Sequence, residues 1–299
     1  MRAYRIAVNL TDYSDITRHV TDVVISMHSL LAQIINRYLP ARVVARLRRI
    51  SWKIRPPERE VPFAKKIMKM LGGSAIDIGA NNGLYTLMLA NAANRIIAFE
   101  ANPDLAGSLR SVSPANVQIE NCAVSDAPGS LNLKIPRIAG VQNTGMATVS
   151  RSNTFDTQSV ESIDEISVQA ITLDDYVRNK KVHDVTFIKI DVEGFEKEVL
   201  DGAMLTIKTE QPILLIETEI RHKADVAGLF KALEDIGYSA LMVNESGSKL
   251  IPVHREQVRE LQSDIRLAAK QQNHFDFSYV NNFFFVPRHK MNAIAGLLK

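Results

Sequence analysis

The stretch AIDIGANNGLYTLMLA, residues 75–90, runs from an apolar segment through two glycines into a second apolar segment. The first segment is typical of a buried strand and the second of a helix. In an open parallel sheet, ligands bind beyond the carboxyl ends of the strands, and glycine lets the backbone turn sharply and approach a ligand. The stretch therefore predicts a bound cofactor at the turn that contains Gly79 and Gly83.

The acids around this turn narrow the choice of cofactor. The spacing Asp77-x-Gly79-x-x-x-Gly83 is not the G-x-G-x-x-G pattern of dinucleotide sites, and the Asp77 carboxylate would repel a pyrophosphate. Glu100 lies about 20 residues further on, where an acid reaches the hydroxyls of a ribose. A ligand with a ribose and a positive charge but no phosphate is S-adenosylmethionine. The alternative is a tight turn without a ligand, with Glu100 as a surface acid.

Apolar strand-like and helix-like segments alternate from about residue 74 to the end of the chain. This alternation predicts an α/β fold, with a mainly parallel sheet covered by helices on both faces. Thr172, with Asp175 three residues later, is a helix-start signal, and Pro103 suits the first turn of another helix. The stretch 140–165 is rich in Ser, Thr and Asn, and it predicts a long loop.

Composition and length indicate a globular protein. The chain has 299 residues, a net charge of +3 and 46% hydrophobic residues, which is ordinary for a soluble domain. Cys122 is the only cysteine, so an intramolecular disulfide is impossible. The stretch MRAYRIAVNLTDYSD lacks a signal-peptide pattern, and no apolar run approaches the ~20 residues of a membrane span. We therefore expect a cytoplasmic protein.

The first 60 residues differ from the rest. Apolar residues recur at helical spacing between Val20 and Tyr38, and a basic stretch follows over residues 42–55. We predict a helical, basic extension at residues 1–60 and one larger domain at residues 61–299. The basic stretch is interpreted as a solvated helix face, and the alternative is contact with an acidic glycan or a membrane surface.

Several stretches between about residues 60 and 288 resemble the FkbM-type methyltransferases, which have the class I, Rossmann-like fold. The matching stretches, in order along the chain, are IDIGANNGLYT, IIAFEANP, NCAVSDAPGSLNL, ITLDDYV, FIKIDVEGFEKEVLDGA, PILLIETE and NNFFFVP. The resemblance implies a doubly wound, mostly parallel seven-stranded sheet with an antiparallel last strand. It also implies S-adenosylmethionine-dependent O-methylation of hydroxyl groups on sugars, glycans or polyketide-like products. The first 60 residues have no match, and NNG replaces the more usual NIG.

The resemblance also implies which residues hold the cofactor. The methionine part would lie against the glycine turn, which comprises Asp77, Gly79, Ala80, Asn81 and Gly83. The ribose and the adenosine side would lie against Glu100 and Asn102. The adenine ring would be held where the third strand ends, by one or more of Asn121, Cys122 and Ala123.

The fourth strand, FIKIDVEGFE, places Lys189 and Asp191 on the same side of a segment that should be buried. Burying an unpaired lysine is costly, so Lys189 must be paired or must line a site. One interpretation is a structural ion pair. The other is that the strand end faces the reacting centre, where Asp191 would meet the cofactor ammonium or the acceptor hydroxyl.

An alcohol is a poor nucleophile, so a base should take its proton as the new bond forms. The candidates lie at the ends of the fourth and fifth strands: Asp191, Glu193, Glu217 and His222. A carboxylate base would leave the rate flat above about pH 6, whereas histidine would give a rise through about pH 6.5. The three acids could also bind Mg²⁺, but they can act without it, and we predict catalysis without a metal.

Three other classes compete with this prediction. A nicotinamide-dependent oxidoreductase would need the glycine pattern that is missing here. A methyltransferase of nucleic-acid bases would usually carry Asn/Asp-Pro-Pro-aromatic after the fourth strand, where this chain has DVEG, and aromatic residues make up only 6%. We therefore expect a small-molecule or glycan acceptor and no nucleic-acid partner. A non-catalytic S-adenosylmethionine-binding module of the same fold stays open, because fold does not fix function.

Overall fold

The computed structural model describes residues 41–54, 56–150, 153, 155, 160–222, 224–263 and 279–299. The chain divides into two units, Met1–Arg48 and Arg49–Lys299. The helical pattern between Val20 and Tyr38 lies outside the described residues, and the domain boundary near residue 60 stays a prediction. The basic stretch does form a helix, Ala41–Ile54.

The chain has twelve strands in its described part, and they form two sheets. In chain order they are β1 Ser74–Ile78, β2 Arg95–Phe99, β3 Val117–Glu120, β4 Ala123–Val124, β5 Gly129–Ile138, β6 Val141–Gln142, β7 Ser162–Ile171, β8 Val185–Ile190, β9 Ile213–Glu217, β10 Tyr238–Val243, β11 Leu250–Pro252 and β12 Asn282–Pro287.

The large sheet has eight strands in the order β11-β10-β12-β9-β8-β1-β2-β3. Its strands β3, β2, β1, β8 and β9 pair in parallel, and β12 runs antiparallel to both β9 and β10. The predicted doubly wound sheet with an antiparallel last strand is thus confirmed. The predicted number of seven strands is one too few, because β11 extends the edge beside β10. Three residues are too short for a recognisable periodic pattern.

Nine α-helices of the described chain connect and cover these strands. They are α1 Ala41–Ile54, α2 Val61–Leu71, α3 Leu84–Leu89, α4 Pro103–Val112, α5 Leu173–Lys180, α6 Glu196–Asp201, α7 Met204–Glu210, α8 Val226–Asp235 and α9 Arg255–Leu261. The predicted helix-start signals are confirmed, because the Thr172 side chain accepts a hydrogen bond from the Asp175 amide and Pro103 begins α4. None of the described helices is long and apolar enough to cross a membrane.

The smaller sheet has the order β4-β7-β5-β6 and was not expected. The prediction of a long loop over residues 140–165 is wrong at both ends, because β6 and the start of β7 lie within it. Strand β7 pairs with β5 along its whole length, from Ser162↔Arg137 to Ala170↔Gly129. Only Val168 and Ala170 of β7 are buried, so the strand is too polar to be recognised by hydrophobicity.

Successive side chains of the central strands point to opposite faces of the large sheet, and each face has its own hydrophobic core. Ile76 and Ile78 of β1 point into one hydrophobic cluster, while Ala75 points into a second cluster on the opposite face of the sheet. The same division holds in β8, where Ile188 and Phe187 lie in different clusters. Burial on both faces fixes the register of these strands and therefore the positions of the residues at their carboxyl ends.

Candidate active site

An open cleft lies where the carboxyl ends of β1, β2 and β8 meet the smaller sheet. The residues that line it come from these strand ends, from β4 and β5, and from the segment after β6: Ile78, Gly79, Asn81, Phe99, Glu100, Ala101, Cys122, Ala123, Val124, Leu133, Thr144, Gly145, Ala147, Thr148, Val149, Asp191, Val192, Glu193 and Phe195.

The two glycines of the turn have different close neighbours. A Cβ atom on Gly79 would lie 1.8 Å from the backbone oxygen of Asp191, and a Cβ atom on Gly83 would lie 2.3 Å from a methyl carbon of Leu109. Both glycines have positive φ angles, 80° and 87°. The sequence predicted that a ligand approaches the backbone at these glycines. In the structure the neighbours that require glycine are protein atoms, from the residue after β8 at Gly79 and from α4 at Gly83. Gly79 also lines the cleft, whereas Gly83 does not.

Asp77 stands behind the turn and not among the residues that line the cleft. Its carboxylate accepts hydrogen bonds from the amide and the hydroxyl group of Thr86, in the first turn of α3. Burial raises the pKa of Asp77 to about 6, against the lowering effect of these hydrogen bonds. The described contacts of Asp77 thus fix the start of α3 against β1, and its predicted contact with the cofactor stays untested.

Glu100 directly follows β2, and hydrogen bonds orient its carboxylate at the cleft. Its Oε2 atom accepts a hydrogen bond from the Asn81 amide at 2.6 Å, and its Oε1 atom accepts one from the Asn102 amide at 2.8 Å. Burial raises the pKa of Glu100 to about 7, although these two bonds favour the charged form. Each oxygen keeps a second lone pair, so the carboxylate can accept further hydrogen bonds from a diol in the cleft.

The other predicted cofactor residues divide into two groups. Cys122 and Ala123 line the cleft beside β4, and burial raises the pKa of the Cys122 thiol to about 11. Asn102 is the N-cap of α4, because its side chain accepts a hydrogen bond from the Asp104 amide. Asn121 donates hydrogen bonds to the backbone oxygens of residues 100 and 101. Like Ala80, both asparagines are absent from the residues that line the cleft.

Lys189 is paired, as its position in a buried strand required. Its Nζ atom donates to Asn282 at 2.9 Å and lies 3.7 Å from the Asp191 carboxylate and 3.8 Å from that of Glu217. Burial would lower the pKa of Lys189, but the nearby carboxylates, Asp191 first, outweigh it and raise the pKa. Only Asp191 of this group lines the cleft. Both interpretations of this strand end therefore hold. Lys189 forms a buried ion pair, and its partner Asp191 lines the cleft.

Glu193 lines the cleft with an unusual backbone conformation. Its φ angle is 53°, which is uncommon for a residue other than glycine. The Thr148 hydroxyl and the Asn153 amide group each donate to its carbonyl oxygen at 2.9 Å. Its side chain lies 3.1 Å from Nε2 of His222 and 3.9 Å from the Arg221 guanidinium. Backbone strain that is held by such contacts concentrates at functional sites.

The ionisation of the Glu193–His222 pair differs from the usual values. Burial and the neighbouring Asp191 raise the pKa of Glu193 well above the usual range. Burial and Arg221 lower the pKa of His222 to about 4. Both directions favour the uncharged forms of the two side chains. His222 is buried and is not among the residues that line the cleft, and its predicted role as the base stays untested.

Glu217 lies in a polar network behind the cleft. Its carboxylate accepts a hydrogen bond from the Asn281 amide group at 2.6 Å, and the Asn282 amide group lies 3.4 Å away. Burial and Asp191 raise the pKa of Glu217 well above the usual range. Glu217 is not among the residues that line the cleft, so direct contact with an acceptor stays a prediction.

Some residues at the site had no signal in the sequence. Thr148 and Asn153 come from the stretch that was predicted to be a loop, and Arg221 from the turn after β9. Glu196 is buried: its Oε1 atom accepts a hydrogen bond from the Gly194 amide, and its Oε2 atom has no hydrogen-bond partner among the described residues. Within the described ranges, no group of three or more His, Cys, Asp or Glu has the arrangement of a metal site. Catalysis without a metal stays a prediction.

Comparisons with known proteins bear on this cleft. The model of the methyltransferase FkbM domain family matches residues 77–240, more than half of the chain. A hexuronic acid methyltransferase, AglP, of Haloferax volcanii is 24% identical over 189 residues, which cover 62% of this chain and 72% of that protein.

Solved structures of methyltransferases also resemble the chain at low identity. Methyltransferase FkbM of Methylobacillus flagellatus is 15% identical, with a TM-score of 0.43 over 88% of this chain, and the match covers 60% of the length of that structure. Precorrin-6y C5,15-methyltransferase of Geobacter metallireducens is 13% identical, with a TM-score of 0.35 over 75% of this chain and 84% of its own.

Proposed function

The chain belongs to the FkbM methyltransferase family, and from this premise we propose that it transfers a methyl group from S-adenosylmethionine to a hydroxyl group of a sugar, a glycan or a polyketide-like compound. The proposal rests on one observation: acidic residues line the same cleft from two sides. Glu100 is held by two backbone amides on one side, and Asp191 and Glu193 follow β8 on the other. We also propose a cytoplasmic location.

The chemistry of the cleft suits this cofactor. S-adenosylmethionine brings a methyl group on a positively charged sulfur, which is a good leaving group. Glu100 can accept hydrogen bonds from the ribose diol, and the apolar side chains of Cys122 and Ala123 can pack against the adenine ring. Asp191 offers a carboxylate to the positive charges of the methionine part. Phosphate groups would face the same acids and be repelled, which disfavours a nicotinamide dinucleotide.

Glu193 is the proposed base for the acceptor hydroxyl. It lines the cleft two residues beyond Asp191, and Thr148 and Asn153 fix its backbone. Its carboxylate must lose its own proton before it can take one from the acceptor. His222, at 3.1 Å, orients that carboxylate and accepts a hydrogen bond from it in the uncharged pair. His222 is therefore proposed as a positioning residue.

The charge of the cleft bears on the acceptor. The lining residues include three acids, Glu100, Asp191 and Glu193, and no lysine, arginine or histidine among the described residues. A carboxylate on the acceptor would be repelled by Asp191, since like charges a few ångströms apart destabilise a complex. The curated relative is named for hexuronic acid, which supports a sugar acceptor. We propose an uncharged sugar ring for this chain.

Calorimetry tests the cofactor half of the proposal. The purified protein should bind S-adenosylmethionine or its demethylated product and not NAD. Glu100→Ala should weaken this binding by about 1–3 kcal/mol, the scale of lost hydrogen bonds to a charged group. Glu165→Ala is the matched control, because Glu165 is exposed on β7. Binding of NAD with no signal for either methionine compound would overturn the proposal.

Turnover tests the acceptor half. Methyl-labelled S-adenosylmethionine, incubated with neutral glycosides and with the matching hexuronosides, should label the neutral compounds on oxygen. Preferred labelling of the hexuronosides would refute the uncharged acceptor but leave the methyltransferase assignment intact. Binding of the cofactor without labelling of any hydroxyl compound, including the small molecules of a cell extract, would favour a non-catalytic binding module.

A further inference from the structure

Helix α1 presents a row of large apolar side chains to water. Val43, Leu47, Ile50 and Ile54 recur at spacings of four, three and four residues, which keeps them on one face of a helix. They are 41%, 45%, 49% and 82% exposed. A contiguous apolar stripe in water marks a surface that binds something apolar. The division of the chain at Arg48/Arg49 runs through α1, and the stripe is a property of this helix alone.

The opposite face of α1 is already occupied. Trp52 lies two residues after Ile50, nearly on the other side of the helix, and it packs against two hydrophobic clusters of the larger unit. The side chain of Trp52 is partly buried, whereas its neighbours Ile50 and Ile54 on the stripe face outward. The stripe thus lies on the side of the helix opposite Trp52.

The charge of α1 identifies the partner. Residues 41–54 contain five basic residues and no acidic residue. By helical position Lys53 borders the stripe, next to Ile50, whereas Arg48 lies nearer the face of Trp52. Basic side chains beside an apolar face are typical of helices that lie in a lipid interface, where the cations meet lipid phosphates and the apolar face meets the acyl chains.

We propose that α1 docks in the plane of an anionic lipid surface, with Val43, Leu47, Ile50 and Ile54 facing the lipid. At about 21 Å long and with five charges, α1 suits a position along the surface and not across it. A second copy of α1 is a poor occupant, because two sets of five positive charges would repel. Residues 1–40 contain four basic and three acidic residues, so charge favours an anionic surface over this segment. If the apolar residues between Val20 and Tyr38 cover the stripe instead, the parent chain will not bind vesicles.

Sedimentation of the full chain with lipid vesicles tests this proposal. The protein should bind phosphatidylcholine vesicles that contain about a third phosphatidylglycerol, bind pure phosphatidylcholine much more weakly, and be released by salt. Leu47→Glu with Ile50→Glu should reduce the partition coefficient more than ten-fold, the scale of two lost aliphatic contacts. Lys53→Gln should reduce it about five-fold.

Two further variants provide a control and a second test of the stripe. Met70→Glu is the matched control, because Met70 is 49% exposed on α2, outside the stripe, and it should bind vesicles as the parent does. Ile54→Glu, at the end of α1 and 82% exposed, gives a second stripe variant if the double variant does not fold. Thermal unfolding and binding of the cofactor show that each variant is intact.

Three outcomes would overturn the docking proposal. The first is no vesicle binding by the parent chain. The second is vesicle binding that both stripe variants retain. The third is a parent dimer that Ile54→Glu converts to a monomer, which would make the stripe an interface between copies. Retention on an acidic polysaccharide without vesicle binding belongs to the first outcome. None of these results bears on methyl transfer, because the cleft and α1 are tested separately.

Discussion

Two constraints act on Gly79. A side chain there would collide with the backbone oxygen of Asp191, just after β8, and the residue also lines the cleft. We predict that Gly79→Ala lowers the free energy of unfolding by about 2–5 kcal/mol, because the new Cβ would collide with the Asp191 carbonyl and φ is positive. Gly107→Ala is the matched control. Its Cβ would meet nothing within 4 Å inside α4, so stability should rise by up to about 1 kcal/mol.

Urea unfolding without cofactor shows whether the fold or the cleft requires glycine at this position. A loss of stability in the cofactor-free Gly79→Ala variant would show that the glycine is needed by the fold itself. Full stability combined with lost cofactor binding would mean that the cleft alone requires glycine, and that the turn relaxes away from Asp191.

Glu193 and His222 differ in how they would make the rate depend on pH. We predict that Glu193→Gln lowers single-turnover methyl transfer by ~10²–10⁴-fold and leaves cofactor affinity nearly unchanged. With Glu193 as the base, the parent rate should rise with pH above the usual carboxylate range, because burial raises the pKa of this group. A His222 base, with its pKa lowered to about 4, would give a flat rate above about pH 5.

These profiles reverse the expectation from the sequence, in which a carboxylate gives the flat rate and histidine the rise. The reason is burial, which the sequence did not predict for either side chain. Glu165→Gln on β7 serves as the exposed control and should turn over at the parent rate. Parent-like turnover by Glu193→Gln would refute the assignment of this residue as the base.

At the scale of elements, Lys189 connects three strands. It lies in β8, contacts Glu217 at the end of β9 and donates to Asn282 at the start of β12. We predict that Lys189→Met lowers the free energy of unfolding by about 3–5 kcal/mol, because the carboxylates lose their buried cation. The loss should be larger at pH 8 than at pH 6, where the carboxyl groups can be neutralised by protonation.

Lys197→Met provides the control for this change. Lys197 forms a surface pair with Asp201 on α6, and its side chain is 68% exposed, so its replacement should cost less than about 1 kcal/mol. Adding Glu217→Gln to Lys189→Met should restore part of the stability. An unchanged unfolding midpoint for Lys189→Met would mean that the ion pair contributes nothing to the sheet.

The order of elements could be predicted where burial imposes a period. Strands such as β1 and β8 are apolar on both faces, so their residues are apolar almost without interruption. Strand β7 could not be recognised, because only two of its ten residues are buried and its partner β5 lies far along the chain. Helix starts were predictable because capping depends on residues three or four apart.

The site was predictable only as far as strand ends determine it. Glu100 and Asp191 directly follow two parallel strands, so their position at one edge of the sheet follows from the strand order. The contact between Glu193 and His222 depends on how two loops fold after β8 and β9, and no periodic pattern encodes it. The capping roles of Asp77 and Asn102 were missed because an acid or amide beside a glycine turn suits both a ligand and a helix start.

At the scale of the whole molecule, the charges are unevenly distributed. The net charge is only +3, yet acids with raised pKa values gather around the carboxyl ends of the large sheet. Burial raises the pKa to about 7 for Glu58, Glu100 and Glu196, and to about 6 for Asp77. In the unfolded chain such groups release their protons near pH 4 to 4.5. The folded protein therefore holds more protons than the unfolded chain between these values.

The protein should consequently become less stable as pH rises. A carboxyl group whose folded pKa lies above its unfolded value disfavours folding progressively as pH rises toward the folded pKa, and the full penalty is present above it. His222 acts in the opposite direction, but only below its unfolded pKa of 6.5, because its folded pKa is about 4. We therefore predict that the free energy of unfolding falls from pH 6.5 to pH 8, by about 1 kcal/mol per pH unit or more.

Glu196→Gln identifies one source of this slope. The amide oxygen can keep the hydrogen bond from Gly194, while the group that titrates near pH 7 is removed. Urea unfolding at pH 6.5, 7.2 and 8 should then show a shallower fall for Glu196→Gln than for the parent, and an unchanged fall for the exposed control Glu165→Gln. A parent stability that rises across this range would mean that the buried acids are already ionised at pH 6.5, each held by a positive charge or by hydrogen bonds that outweigh its burial.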